Sequence, residues 1–127
     1  MSRSGSIREE ERQKVKLVEK LRSDGGIGAA LEKTNLRAAD LQGVAFDQAD
    51  LRGADLRWSN LRRAGLRGAR MQDANLHGAR LEGADMLGAN IAGASLDCAR
   101  LDPTTRLPDG TFWTPDRDLS KYGVKAR

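Results

Sequence analysis

The chain has 127 residues, enough for one domain with short end pieces. Only 39% of them are hydrophobic and 4% aromatic, which excludes a thick two-layer core and calls for burial that is economical and regular. The formal net charge of +4 sits in the two ends, since arginines and acids balance over residues 34–103. An excess so small and so placed disfavours a dedicated nucleic-acid binder. Cys98 is the single cysteine, so no internal disulfide forms. The first residues, "MSRSGSIREEERQK", lack the apolar run of a secretory signal, so no leader is expected, and no apolar run of membrane-spanning length occurs in the sequence. A soluble, cytoplasmic protein without a transmembrane segment is expected.

Residues 1–5 are rich in Ser and Gly and are expected to be loose. Residues 6–22 predict a helix. Ser6 and Glu9 have capping-box spacing, Glu9, Glu10 and Glu11 suit the helix's positive end, and Val15, Val18 and Leu21 recur on one side beside Leu17. "SDGG" at 23–26 ends it.

From Thr34 to Pro103 the chain repeats every five residues. The central position holds Leu36, Leu41, Phe46, Leu51, Leu56, Leu61, Leu66, Met71, Leu76, Leu81, Met86, Ile91, Leu96 and Leu101, usually with Ala two places earlier. "AALEK" at 29–33 is one more unit in phase. A step of five spirals around an α-helix and alternates between the faces of a strand, so neither straight element buries this set. A coil with one corner per unit does bury it. The large residue and the small one two places before it then both point inward. Asp or Asn precedes the central residue in eight units, where its side chain can bond nearby backbone at a bend. Gly stands two places after it in seven.

This pattern, A-(D/N)-L-x-x, resembles the pentapeptide-repeat family over residues 29–103. The tail "LPDGTFWTP" (107–115) is similar to the ending of many bacterial members. The resemblance implies an all-β fold, a right-handed quadrilateral β-helix of nearly four coils with four units per coil. An N-terminal helix would cap one end and an irregular tail the other. The domain plan is then 1–28 for the start and capping helix, 29–103 for the repeats and 104–127 for the tail. Arg106 falls where the next Leu is due, and Pro103 and Pro108 are expected to stop the ladder, leaving Phe112 and Trp113 to cover the last coil.

With 20 residues per coil, residues i and i+20 are stacked. The coil at 51–70 carries Arg52, Arg57, Arg62, Arg63, Arg67 and Arg70 against the single acid Asp55. The stacking predicts Arg67 with Asp47, Arg70 with Asp50 and Arg62 with Glu82, and leaves Arg57 unpaired between Arg37 and His77. Trp58 lies between Ala38 and Gly78 with its ring exposed. Arg37, Arg57, Trp58 and His77, with Arg63 beside them, form the candidate contact patch for a partner or an anion. One His and one Cys without a third group supply no catalytic set and no metal site; no cofactor is implied. The resulting expectation is a non-enzymatic scaffold or docking subunit of a bacterial assembly with an unidentified protein partner. Two alternatives stand beside it. One is the DNA mimicry toward topoisomerases that some family members show, which the neutral repeat charge disfavours. The other is anion or nucleic-acid binding through an arginine belt at residues 52–70.

Overall fold

The structure, a computed structural model, describes residues 3–126. Helix α1 spans Arg3–Asp24. Residues 1 and 2 of the expected loose start lie outside the described residues, whereas residues 3–5 are helical. Ser6 is therefore inside the helix and not at its cap. The helix runs two residues past the expected end at 22 and stops inside "SDGG": Gly25 takes the left-handed conformation at φ 80° and its N–H bonds the Leu21 carbonyl at 2.8 Å. Leu21 is buried and Leu17 and Val18 are half-buried, but Val15 faces solvent. Among the described side chains, the apolar ones of α1 that pack against the rest of the protein lie in its last turns.

The chain then winds into stacked coils of 20 residues. Eleven parallel bridges join residues i and i+20, from Ala30–Asp50 to Arg80–Arg100. In each unit from Leu31 to Met86 the central residue's N–H rises to the coil above, as from Leu36 to the Asp55 carbonyl at 2.8 Å. The carbonyl of that central residue accepts from the N–H three places on, as from Ala39 to Leu36 at 3.2 Å. This second bond closes a four-residue turn whose third member needs φ > 0, the requirement of a type II turn. That member is left-handed in every unit from Gly28 to Cys98.

The expected all-β class does not hold. Among the described residues the regular elements are α1 and a short 3₁₀ turn at Leu119–Tyr122, and no strand is formed. The reason is local. The turn takes four of every five residues, so one residue per unit is left to bridge, and a strand needs neighbours that bridge in succession. The result is a coil built from turns and isolated bridges, not from extended strands.

The centre of the coil is dry. The central residues from Leu36 to Ile91 are buried, as are the small residues two places before them from Ala39 to Ala94. Leu96 and Leu101 are only half-buried. Ser59, one of the polar stand-ins for Ala, is buried with its hydroxyl donating to the Leu56 carbonyl at 2.7 Å. All eight Asp and Asn residues that precede a central residue accept the N–H two places on, from Asn35 to Asn90. These bonds fix each corner from the outside.

The end of the repeat differs from expectation. Arg106 does not break the coil, and Pro103 and Pro108 do not stop its ladder. One extra residue is accommodated near Pro103. The pairing then resumes one place later, with Asp85 bridging Arg106, and the Gly88 N–H bonds the Pro108 carbonyl at 2.8 Å. Leu107 takes the buried central place, and buried Thr105 takes the small one, its hydroxyl donating to the Leu81 carbonyl at 2.8 Å. The coil therefore runs past 103 to 108. Of the two aromatics expected to cover the end, Trp113 packs half-buried against the core. Phe112 turns outward, 47% exposed, under the Arg106 guanidinium 5.2 Å from its ring centre.

Candidate functional site

The coil has four sides' worth of units, and its stacking sorts the candidate residues among them. Arg37, Arg57 and His77 are successive members of one column, and Ala38, Trp58 and Gly78 of the next. Arg63 belongs to the following unit, so it is not part of the same column set.

Trp58 is held in place although it is 54% exposed. Its backbone is left-handed at φ 60°, which turns the indole up the wall of the coil. There it lies against Gly78, where a Cβ would run into the indole ring. The His77 ring meets it edge-on, 5.0 Å between centres at 84°. Arg37 is exposed one coil below.

Arg57 is not unpaired. Its Nε and Nη2 donate to Asp55 at 2.8 and 2.7 Å, and Asp55 also accepts the Arg57 N–H. The same fork joins Arg52 to Asp50. The Arg52 guanidinium holds the Asp50 carboxyl well below the ordinary carboxylate range, at about 2, and Arg57 lowers Asp55 in the same way. Arg67 pairs with Asp85 at 2.6 Å and not with Asp47, and Arg70 forms no ion pair with Asp50. Arg62 does reach Glu82, at 3.6 Å. The expected arginine belt is therefore largely neutralised where it stands.

The acceptor at the corner explains why. A carboxylate already turned toward the N–H two places on lies beside that residue's side chain, and an arginine there closes the fork. Sequence reasoning missed this i, i+2 pairing because it looked only along the columns. The signal was present, since Asp50–Arg52 and Asp55–Arg57 share one spacing.

Cys98 is exposed, and among the described residues no cluster of His, Cys, Asp or Glu is grouped to hold a metal ion. No helix among them is long and apolar enough to cross a membrane. A shallow groove of about 550 Å³ lies elsewhere on the wall, lined by Gly28, Glu32, Gln48, Asp50, Gly68 and Arg70. Its charges are mixed.

Solved pentapeptide repeat proteins are similar to this chain, and one of them matches its fold. Protein Rfr23 from the cyanobacterium Cyanothece 51142 is 33% identical, with a TM-score of 0.54 over 61% of this chain, and the match spans 60% of that protein's own length. A pentapeptide repeat protein from the Arabidopsis thaliana thylakoid lumen is also 33% identical over 74% of this chain and 72% of its own, with a TM-score of 0.47. One from Nostoc PCC 7120 is 31% identical over 87% and 93%, with a TM-score of 0.41. No curated protein matches the sequence significantly. The profile of pentapeptide repeats matches in eight copies over residues 29–68 and 69–102, more than half of the chain. With its turns, corner bonds and 20-residue coils in that same stretch, the chain belongs to the pentapeptide repeat family.

Proposed function

We propose that this protein is a non-enzymatic docking module in which the coil holds a protein partner against the side bearing Trp58. Family membership supports a repeat scaffold in general. The observation that carries the narrower reading is Trp58 itself. A large aromatic that is more than half exposed, yet pinned on Gly78 and against His77, loses little side-chain entropy on contact. Tryptophan and arginine are also the residues most enriched where binding energy concentrates. Arg37 supplies a cation one coil below, and the Arg57–Asp55 fork presents a rigid polar edge beside the ring. The bacterial, cytoplasmic setting belongs to this proposal too, and is supported by the lone cysteine and by the tail sequence.

The test is capture of partners from the native host with crosslinking mass spectrometry, wild type against Trp58→Ala. The expected result is a partner whose crosslinks map around residues 37–77 and whose recovery falls with the variant, while the folded signal stays unchanged. A partner recovered equally by Trp58→Ala would remove this surface from the reading.

A further inference from the structure

We propose that the side of the coil carrying Arg62, Arg63, Arg80 and Arg100 is a binding site for a compact phosphate-type anion. It is distinct from the Trp58 surface and does not depend on it. The starting point is a stacked pair of like charges. Arg80 and Arg100 are bridge partners in register, so their backbones lie one coil apart, about 4.8 Å. Like charges placed directly opposite one another destabilise a ladder.

Glu82, Asp40 and Asp102 do not resolve this. Glu82 is shared, with Arg62 Nε at 3.6 Å and Arg80 Nη2 at 3.5 Å, distances of attraction without a hydrogen bond. Arg80 Nε is shut off from solvent and has no hydrogen-bond acceptor. Asp40, further down the column, is held by Arg22 of α1 at 2.9 Å. Asp102 accepts from the Thr104 N–H and hydroxyl. Arg63 and Arg100 are both exposed. The Arg63 stem climbs over Gly83, its Cγ 3.1 Å from where a Cβ would stand, toward the level of Glu82.

The Arg62 and Arg80 guanidinium groups thus share one carboxylate, with Arg63 and Arg100 rising from neighbouring positions on the same side of the coil, whereas Arg52 and Arg57 on the other sides are each chelated by an aspartate of their own. Planar forks with free N–H groups match the oxygen pairs of a phosphate. Such a group placed between Arg80 and Arg100 turns their repulsion into a shared attraction. Inorganic phosphate and the phosphoryl group of a small phosphomonoester offer the same chemistry.

Calorimetric titration and amide chemical-shift mapping with inorganic phosphate, and separately with glycerol phosphate, test the proposal at fixed ionic strength. The expected result is saturable binding with shifts centred on Arg80 and Arg100. Binding should weaken about tenfold in Arg100→Gln, the size expected for loss of one charge-assisted contact, and be unchanged in Arg52→Gln. Saturation by phosphate alone assigns the free ion, and equal saturation by the ester assigns a phosphorylated small molecule. In phosphate-free chloride buffer Arg100→Gln should melt no lower than wild type, because it relieves the stacked charges; a merely structural arginine would not behave so. If Arg80→Gln fails to fold, Arg63→Gln and Arg100→Gln carry the same test from exposed positions. The proposal is overturned if wild type and the Arg63→Gln/Arg100→Gln pair bind phosphate equally. It is also overturned if no saturable binding occurs at millimolar phosphate, or if only a polyanion binds and salt abolishes it.

Discussion

The two ends of the coil are closed by different means. At the start, α1 lays Leu21 across the first coil, whose Leu31, Leu36 and Leu41 are all buried. The fit depends on a missing side chain. Gly26 stands in the central place, and a Cβ there would lie 2.9 Å from the Phe46 ring and 3.0 Å from Leu21. Phe46, the bulkiest central residue, thus fills the space above a glycine and meets the helix. At the finish, Trp113, Leu119, Tyr122 and Val124 are all half-buried, and Leu96 and Leu101 beneath them stay half-buried too. That tail is tied by backbone bonds to the coil, from Gly93 to Gly123 at 2.7 Å and from Lys125 to Ala94 at 2.8 Å. A helix satisfies its own backbone and can offer a purely apolar stripe. An irregular tail must spend its approach on hydrogen bonds to the rim, and seals the core less well.

The largest expected effect follows from this contrast. Phe46→Ala should cost about 3–5 kcal/mol, the usual loss for a fully buried aromatic. Leu101→Ala at the other end should cost about 1–2 kcal/mol, because less apolar area leaves the core. Denaturant midpoints at unchanged slope measure both. Equal losses would mean that the tail seals its end as tightly as the helix does.

A second, smaller effect separates the ends by pH. The tail carries a latch: Lys121 Nζ donates to Asp109 at 2.9 Å, and the Thr111 N–H and hydroxyl donate to the same carboxylate. Lys121 first, and then Thr111, hold the Asp109 carboxyl far below the ordinary carboxylate range. A carboxylate whose folded pKa is depressed adds stability above its unfolded pKa, near 3.9 for a free Asp, and loses it as pH falls toward the folded value. Acidification below pH ~4 should therefore loosen the tail progressively. Hydrogen exchange at Trp113 and Lys125 should quicken with it in wild type, and Asp109→Asn should exchange quickly already at neutral pH. Exchange that ignores both changes would show that the latch contributes nothing to closure.

Much of this was legible in the sequence, and the limits are physical. A five-residue period leaves one way to bury Leu and Ala together, so the inward set and the corner acceptors follow from spacing alone. The strand assignment failed because spacing says which residues turn inward, not how many remain extended between corners. Ion pairs failed for a related reason. Columns place backbones, but long side chains reach diagonally, as Arg67 does to Asp85, or back to their own corner, as Arg57 does to Asp55. The extra residue near Pro103 escaped because an insertion can be absorbed in a corner without ending the coil. One column rule was available and unused: Lys33, Gln48, Trp58, Arg63 and Asp73, all left-handed, each lie below a glycine one coil up. Those glycines serve the turn, and they also clear a path for the side chain rising from below.

The smallest expected effect should ignore the difference between the ends altogether. Ala38 near the start and Cys98 near the finish both occupy the left-handed turn position, at φ 58° and 60°. An L-residue pays about 1–2 kcal/mol in that conformation, while glycine there loses back part of the gain, roughly 0.5–1 kcal/mol, through a freer unfolded chain. Ala38→Gly and Cys98→Gly should therefore each stabilise by about 0.5 kcal/mol, seen as a small rise in denaturant midpoint. The strain is confined to one turn and involves neither α1 nor the tail. If only Cys98→Gly stabilised the protein, the gain would have to come from the tail-covered end itself, and closure and turn strain would no longer be separate contributions.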